Sequence, residues 1–227
     1  MNLKEVAGRR AVELIQEGMI VGLGTGSTAN YAIQALGERV ASGLKIQAIS
    51  TSVPTTRLAA ENGIDILTFE EEPVIDITID GADEVDANLN LIKGMGGALL
   101  REKIVAAAST REIIVVDPSK LVNKLGTQSP LPVEVIPFGW PLAQRYLMEQ
   151  NLRAELRNLP NGDEPFETDN GNFILDCYFP HGIDNPGTTE TIINAIPGVV
   201  DNGLFVGLTD LVIIGEENGT CRLLEHN

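Results

Sequence analysis

Short apolar runs alternate with amphipathic helices through the first 120 residues, and this alternation restricts the possible folds of the chain more than any other feature. Apolar residues recur at helical spacing from Leu3 to Ile15, and a β-rich run follows at Met19–Leu23. The pattern then repeats, with strands predicted at 46–49, 64–69, 74–79 and 112–116 and helices beginning near residues 27, 54 and 98. Such alternation is typical of a parallel sheet covered by helices on both faces. The sequence therefore predicts an α/β fold with a Rossmann-like, doubly wound, mainly parallel sheet.

The alternation stops in the segment TQSPLP, at residues 127–132, which indicates a domain boundary. The following order of strand, helix, strand, strand and helix fits a small α+β unit of the ferredoxin-like type. At the C-terminal end, the Asn218-Gly219 pair between two apolar runs predicts a hairpin. We expect residues 1–128 and 204–227 to form the catalytic domain, and residues 129–203 to form an inserted lid or oligomerisation domain.

Charge and composition exclude several classes of protein. Lys and Arg number 16 against 32 Asp and Glu, and the resulting net charge of −16 argues against nucleic-acid binding. A small phosphorylated ligand stays possible, because a few lysines in one cleft can reverse the local potential. The two cysteines, Cys177 and Cys221, and the two histidines, His181 and His226, have none of the spacings of a zinc site. We therefore expect no metal site.

The chain is also expected to be soluble and cytoplasmic. Charged residues interrupt the N-terminal segment where a signal peptide needs an apolar core. No apolar run approaches the roughly 20 residues that a helix needs to span a bilayer, so we expect no contact with a membrane.

The segment GLGTGST follows a predicted strand and opens a helix that Ser27 or Thr28 could cap. Glycines allow a ligand close to the backbone, and the helix N-terminus offers N–H donors to an anion. The third glycine of a dinucleotide fingerprint and the lysine of a Walker loop are both missing, so a single phosphate fits better. A tight turn followed by a helix cap is the alternative.

Acidic residues follow the strand predicted at 74–79, in the segment DGADEVD. Asp80 comes where the strand ends, and Asp83 and Glu84 follow within one short turn. Ligands of open α/β sheets bind at the carboxyl ends of the strands, so these acids are expected to point towards the binding cleft. A solvated acidic turn is the alternative, whereas a calcium loop fails at its third and last positions.

The next segment, KGMGGALLREK, places Lys93 before a glycine-rich loop and Glu102 on the helix that follows. Lys120 comes just after another predicted strand, where it could meet an anion. For each of these three charged residues an ordinary surface position is the alternative.

Together these segments resemble the type A ribose-5-phosphate isomerase family. The motifs that carry the resemblance are GLGTGST, DGADEVD, KGMGGALLREK, VVDPSK, LPVEVIPF and the later NAIPGVVDNGLF, and they occur in the family's order over nearly the whole chain. One departure is Met95, since some members have glycine there, and this affects the expected loop geometry rather than the reaction.

The resemblance implies an aldose–ketose isomerase that interconverts D-ribose 5-phosphate and D-ribulose 5-phosphate through an enediolate, as in the non-oxidative pentose phosphate pathway. It implies Glu102 as the general base, with Asp80, Asp83 and Lys93 as further catalytic residues. The implied substrate-binding residues are Thr25, Gly26, Ser27, Thr28, Asp80, Gly81, Ala82, Asp83, Lys93, Gly94, Met95, Gly96 and Lys120.

The same resemblance implies no cofactor, and it implies a homodimer or a homotetramer. Three other interpretations stay open at this point. They are a CoA-transferase, an amino-sugar phosphate isomerase of the same broad fold, and a non-catalytic sugar-phosphate sensor.

Overall fold

The computed structural model describes residues 2–72, 74–150, 152–160, 162 and 164–226. Its α-helices are Leu3–Val12 (α1), Ser27–Ala41 (α2), Val53–Glu61 (α3), Leu99–Ala107 (α4), Trp140–Glu149 (α5) and Pro186–Asn194 (α6). Its strands are Ile20–Leu23 (β1), Gln47–Ser50 (β2), Asp65–Ile66 (β3), Ile77–Asp80 (β4), Glu84–Val85 (β5), Leu91–Ile92 (β6), Glu112–Val116 (β7), Leu131–Val135 (β8), Arg153–Leu156 (β9), Phe173–Tyr178 (β10), Val199–Asn202 (β11), Leu204–Phe205 (β12), Leu211–Gly215 (β13) and Cys221–Glu225 (β14).

The chain divides into two compact units. The first unit contains residues 1–82, 101–121 and 207–227, and the second contains residues 83–100 and 122–206. The domains predicted from the sequence have other limits, because neither residue 83 nor residue 100 lies at a change of composition. That domain assignment stays a prediction.

A seven-stranded sheet forms the centre of the first unit, in the order β14-β13-β7-β4-β1-β2-β3. All its strands are parallel except β14, which forms an antiparallel hairpin with β13. The chain runs outward from β1 through β2 to β3, and then crosses back to β4 on the other side of β1. The carboxyl ends of β1 and β4 therefore form the topological switch point, where ligands of such sheets bind.

Helices pack on both faces of this sheet because its strands are apolar on both sides. Val21 of β1 belongs to the core that contains α1 and α2 side chains, such as Ala7 and Ile33. On the other face, Ile49 of β2 packs with Val105 of α4. The predicted doubly wound, mainly parallel sheet is confirmed.

The second unit contains a four-stranded antiparallel sheet in the order β11-β8-β10-β9. Its first and third strands in chain order, β8 and β10, are neighbours at the centre, which is the ferredoxin-like arrangement expected from the sequence. A core of Leu131, Val133, Ala143, Leu175 and related apolar residues joins the sheet to α5 and α6. A small antiparallel sheet, β12-β6-β5, completes this unit, and the sequence did not indicate it because two-residue strands leave no periodic pattern.

Three local predictions need correction. Helix α2 begins after an N-cap at Gly26, whose φ of 113° favours glycine, so neither Ser27 nor Thr28 caps it. Strand β4 begins at Ile77 rather than at residue 74. The strand predicted at 64–69 has only the two residues of β3, since the chain soon enters a turn in which the carbonyl of Thr68 accepts hydrogen bonds from the N–H groups of Glu71 and Glu72. No helix in the described ranges is long and apolar enough to cross a membrane.

Candidate active site

The loop after β1 carries the residues predicted to bind phosphate. Gly24, Thr25 and Gly26 leave the carboxyl end of the strand, and α2 begins at Ser27. Ser27 is exposed at the helix start, whereas the side chain of Thr28 is largely buried. The first backbone N–H groups of a helix have no partner within it, and together with the helix dipole they attract an anion. The loop can therefore hold one phosphate group at the switch point.

Gly24 and Asp80 touch at the ends of the two neighbouring strands. A Cβ atom on Gly24 would lie only 2.0 Å from Oδ1 of Asp80, so this position tolerates no side chain. Oδ1 of Asp80 accepts hydrogen bonds from the N–H of Thr25 at 3.1 Å and from the N–H of Gly81 at 2.6 Å. The carboxylate of Asp80, which is 1% exposed, is thereby held against the loop.

A cluster of hydroxyl groups supports the loop from beneath. Oγ1 of Thr25 is 2.8 Å from the hydroxyls of both Thr51 and Ser52, and 3.1 Å from that of Thr55. Thr55 in turn donates to the carbonyl of Gly24 at 3.0 Å. These groups follow β2 at the same edge of the sheet. The Thr25 side chain therefore fixes the loop conformation.

Lys4 is a further candidate site residue, which no motif in the sequence indicates. Its Nζ donates to Oγ of Ser27 at 2.9 Å, which places a positive charge at the start of α2. A cleft of about 480 Å³ lined by Asn2, Leu3, Lys4 and Asp117 opens beside it. No local signal marks Lys4, because it is an ordinary lysine in the first turn of an amphipathic helix and it meets Ser27 only through the packing of α1 on α2.

The predicted anion-binding residue Lys120 ends a short 3₁₀ turn, Pro118–Lys120, that follows β7. Oδ1 of Asp117 accepts a hydrogen bond from the N–H of Ser119 at 2.9 Å and caps this turn. Because Asp117 also lines the cleft beside Lys4, the turn and Lys4 border the same space. Two lysines thus lie near the carboxyl edge of the sheet in the first unit.

Glu102, the predicted general base, lies in the first turn of α4 and is 5% exposed. The N-terminal end of a helix stabilises a negative charge. A carboxylate that is nearly dry and held on a helix differs from the solvated surface glutamate that was the alternative. The burial of Glu102 keeps water away from its carboxylate, which suits a general base that removes a proton from carbon.

In the second unit, Asp83 and Lys93 lie at the same end of a short hairpin. Asp83 immediately precedes β5 and Lys93 immediately follows β6, and the antiparallel register pairs Glu84 with Ile92. Oδ2 of Asp83 accepts a hydrogen bond from the N–H of Met95 at 3.0 Å. The structure therefore brings Asp83 together with the glycine-rich loop.

Lys93 is 2% exposed, which is rare for a lysine outside a functional site. Its N–H donates to the carbonyl of Gly203 at 2.9 Å, and a Cβ atom on Gly203 would lie 2.2 Å from the Lys93 carbonyl oxygen. Its Nζ is 5.4 Å from the ring centroid of Phe205, within range of a cation–π interaction. The ammonium group is therefore held in a defined place.

Glu84 does not point towards a cleft, as its place beside Asp83 in the sequence suggested. It is completely buried, and its carboxylate accepts hydrogen bonds from the N–H groups of Gly126, Gln128 and Ser129 at 2.5–2.6 Å. Successive residues of a strand point to opposite sides, so Asp83 and Glu84 diverge. Glu84 organises the 126–129 loop.

Cys177 and the possible metal-ligating side chains of the described residues add no group to the candidate site. Burial, with a smaller effect from neighbouring Asp176, raises the pKa of the Cys177 thiol, so that Cys177 is a packed apolar residue. Across the part of the chain that the structure describes, no group of three or more His, Cys, Asp or Glu side chains could hold a metal ion.

The comparisons with known proteins agree with the doubly wound sheet described above. The family model of ribose 5-phosphate isomerase A (phosphoriboisomerase A) matches residues 47–219. The chain is 54% identical over 218 residues to ribose-5-phosphate isomerase A of Gloeobacter violaceus, which covers 96% of this chain and 94% of that protein. It is 49% identical over 219 residues to the Bacillus mycoides protein of the same name, and this match covers 96% of this chain and 98% of that protein.

Solved structures give the same result. A D-ribose-5-phosphate isomerase in complex with phospho-erythronic acid superposes with a TM-score of 0.96 at 44% identity, and the match covers 100% of both chains. Ribose 5-phosphate isomerase A from Methanocaldococcus jannaschii gives a TM-score of 0.94 at 41% identity, with coverage of 99% and 98%. These matches define the chain as an α/β sugar-phosphate isomerase. It belongs to the ribose 5-phosphate isomerase A family.

Proposed function

We propose that this chain interconverts D-ribose 5-phosphate and D-ribulose 5-phosphate by proton transfer through an enediolate. The single observation that carries the proposal is the nearly dry carboxylate of Glu102 at the start of α4, in a chain that belongs to this family. The three other interpretations, a CoA-transferase, an amino-sugar phosphate isomerase and a non-catalytic sensor, are not favoured by any of these comparisons.

Glu102 removes the proton from C2 of the open-chain aldose. The electron pair of that bond forms the C1–C2 double bond, and the electron pair of the C1–O1 double bond moves to O1, which gives the enediolate. The same carboxyl group then returns the proton to C1, while the proton of the C2 hydroxyl moves to O1 and C2 becomes the ketone. A proton bound to carbon is only weakly acidic, so a positioned base at this site raises the rate by a factor of about 10²–10⁴. The step needs neither a metal nor a redox partner for its balance.

Lys93 and the backbone N–H groups of Gly94 and Gly96 stabilise the negative oxygen of the enediolate. Donors that are fixed before the reaction lower the barrier most, because they need no rearrangement as charge develops. The buried Lys93 ammonium and the glycine-rich loop meet this condition. Asp80 and Asp83 move protons between the sugar hydroxyls, including the proton transfer that opens the furanose ring.

The phosphate of the substrate binds at the start of α2. Backbone N–H groups of residues 26–28 and the Ser27 hydroxyl supply hydrogen bonds, and Lys4 and Lys120 supply positive charge. Such local cations are needed because the chain as a whole has a net charge of −16. Gly81 and Ala82, which follow Asp80, line the sugar.

Phosphorylated sugars do not cross membranes, and we therefore expect the protein in the cytoplasm.

The protein assembles as a homodimer through the second unit. Four apolar side chains are exposed on or beside the turn between β8 and α5, and they are Ile136, Phe138, Leu142 and Val200. Phe138 is 96% exposed. An exposed apolar surface of this kind marks an interface, and closed two-fold assembly is the commonest way to cover it. A homotetramer would need a second interface.

The experiment that tests the proposed activity is incubation of the purified chain with D-ribose 5-phosphate, followed by ¹H NMR. We expect ribulose 5-phosphate to form until the equilibrium ratio is reached, without any added metal or nucleotide. D-glucosamine 6-phosphate and acyl-CoA serve as control substrates for the other interpretations. Turnover of either control in place of ribose 5-phosphate would contradict the proposal.

A further inference from the structure

A partly buried ion pair in the second unit lies directly behind the glycine-rich loop. Nε of Arg157 donates to Oδ2 of Asp176 at 2.9 Å, and its Nη2 donates to Oδ1 at 2.5 Å. The two side chains are only 12% and 14% exposed. A two-pronged pair of this kind fixes the plane of the guanidinium group. Asp176 therefore determines where the remaining nitrogen of Arg157 points.

The remaining nitrogen binds the loop. Nη1 of Arg157 donates to the carbonyl of Gly94 at 2.9 Å and to the carbonyl of Met95 at 3.2 Å. The backbone of Arg157 is itself fixed, since its N–H donates to Ile174 and its carbonyl accepts from Phe166, both at 2.8 Å. Arg157 thus connects the edge of the four-stranded sheet to two successive peptide groups of the loop.

The direction of a carbonyl fixes the direction of the N–H in the same peptide group. Because a trans peptide is planar, its C=O and N–H point in opposite directions. With the carbonyls of Gly94 and Met95 directed at Arg157, the N–H groups of Met95 and Gly96 are directed away from it. The N–H of Met95 is the group that donates to Oδ2 of Asp83 at 3.0 Å.

The far end of the loop is fixed as well. Gly97 has a φ of 80°, and a Cβ atom there would lie 2.4 Å from Cζ of Phe166. The Phe166 ring also lies 5.9 Å from the Arg157 guanidinium carbon. The ring and the guanidinium group therefore support opposite ends of one four-residue turn, closed by the hydrogen bond from Gly97 N–H to the Gly94 carbonyl at 3.0 Å.

We propose that Arg157, oriented by Asp176, is a positioning residue of the isomerase: it fixes the N–H groups of Met95 and Gly96, and through Met95 it orients the carboxylate of Asp83. The inference rests on the proposed function, in which the N–H of Gly96 meets the enediolate and Asp83 moves hydroxyl protons. Arg157 does not touch the substrate in this role. Lysine cannot replace it, because an ammonium group cannot hold Asp176 with two parallel bonds while also reaching two carbonyls.

The test compares Arg157→Lys with Arg153→Lys in the full-length protein. Arg153 begins β9, the strand that Arg157 directly follows, and it pairs with Glu155, but its side chain is 68% exposed and does not bind the loop. Turnover, KM for ribose 5-phosphate and the dissociation constants of two probes are measured. The probes are phospho-erythronic acid, whose planar carboxylate imitates the charged end of the enediolate, and inorganic phosphate, which reports only on the phosphate subsite.

We expect Arg157→Lys to lower kcat and the affinity for phospho-erythronic acid by at least ~10-fold each, because both depend on donors aimed at developing charge. We expect phosphate affinity to stay within about twofold, and Arg153→Lys to behave as the unmodified protein does. Unchanged kcat in Arg157→Lys, or an equal loss of affinity for both probes, overturns the proposal.

Asp176→Asn provides a second, independent variant, since it keeps Arg157 and removes the charge that orients it. We expect the same selective loss, to a smaller extent. If circular dichroism shows that neither variant folds, the pair serves the fold and the proposal is overturned. Absence of isomerase activity in the unmodified protein would instead reject the proposed function, so the two failures are distinguishable.

Discussion

The N–H of Thr25 donates a hydrogen bond to Oδ1 of Asp80 at 3.1 Å, across the ends of the parallel strands β1 and β4. This bond joins the loop that we expect to bind phosphate to an acid that we expect to move hydroxyl protons. It lies at the switch point, where the loops after two strands diverge and leave room for a ligand. The backbone of the loop and the carboxylate therefore cannot move independently.

Gly24→Ala tests this connection. The added methyl group would lie 2.0 Å from Oδ1 and 2.5 Å from Cα of Asp80, so the loop or the strand end must move. We expect kcat/KM to fall at least ~10-fold, and the free energy of unfolding to fall by about 1–3 kcal/mol as in other overpacked sites. Steady-state kinetics and urea titration measure the two effects.

Gly187→Ala is the matched control, because a Cβ atom there has no neighbour closer than 3.9 Å. It should keep both activity and stability. Wild-type kinetics in Gly24→Ala would show that the contact between the loop and Asp80 is unimportant for the reaction.

Lys4→Met and Lys120→Met test the phosphate subsite. Each removes one positive charge near the start of α2, so we expect KM for ribose 5-phosphate to rise ~10-fold while kcat changes less than about threefold. Turnover of D-ribose, which lacks the phosphate, should be affected by neither variant. Lys45→Met is the control, because Lys45 is exposed and lies just before the amino end of β2, at the opposite end of the strands. An unchanged KM in both variants would mean that phosphate is bound elsewhere.

Phe138→Glu tests the proposed dimer. A charge at this exposed aromatic position should prevent burial of the surrounding apolar surface, and we expect the molar mass in light scattering to fall from that of two chains to that of one. Leu223→Glu, which places the same charge on the edge strand β14 of the first unit, should stay dimeric. A monomeric unmodified protein would contradict the assignment, and so would a dimeric Phe138→Glu.

The fold and the local motifs could be predicted from the sequence because they depend on short patterns. Apolar runs indicated β1, β4 and β7, and the residues at their ends identified the loop after β1, Asp80 and Lys120 as candidates. Glycines in the sequence indicated where the loops lie, and Gly26 in the loop after β1 has the positive φ that favours glycine. Each of these signals lies within about ten residues of the position that it marks.

Contacts between distant segments could not be predicted. Lys4 meets Ser27 only because α1 packs on α2, and Arg157 meets the carbonyl of Gly94 across 63 positions of the chain. Glu84 was placed with Asp83 because they are adjacent, although its three backbone donors come from residues more than 40 positions away. A single sequence contains no periodic signal for such pairs, because their geometry depends on how elements pack.

The role of Glu102 as the base is tested by the turnover of Glu102→Gln on ribose 5-phosphate in deuterated water, with deuterium at C1 of the product measured by NMR. Glutamine keeps the shape of the side chain and cannot accept the proton, so we predict a fall in kcat of about 10²–10⁴, a parallel loss of deuterium incorporation and an unchanged fold. Glu61→Gln, at an exposed position on α3, should react as the unmodified protein does. Turnover of Glu102→Gln at a rate close to that of the unmodified enzyme would contradict the role of Glu102 as the base.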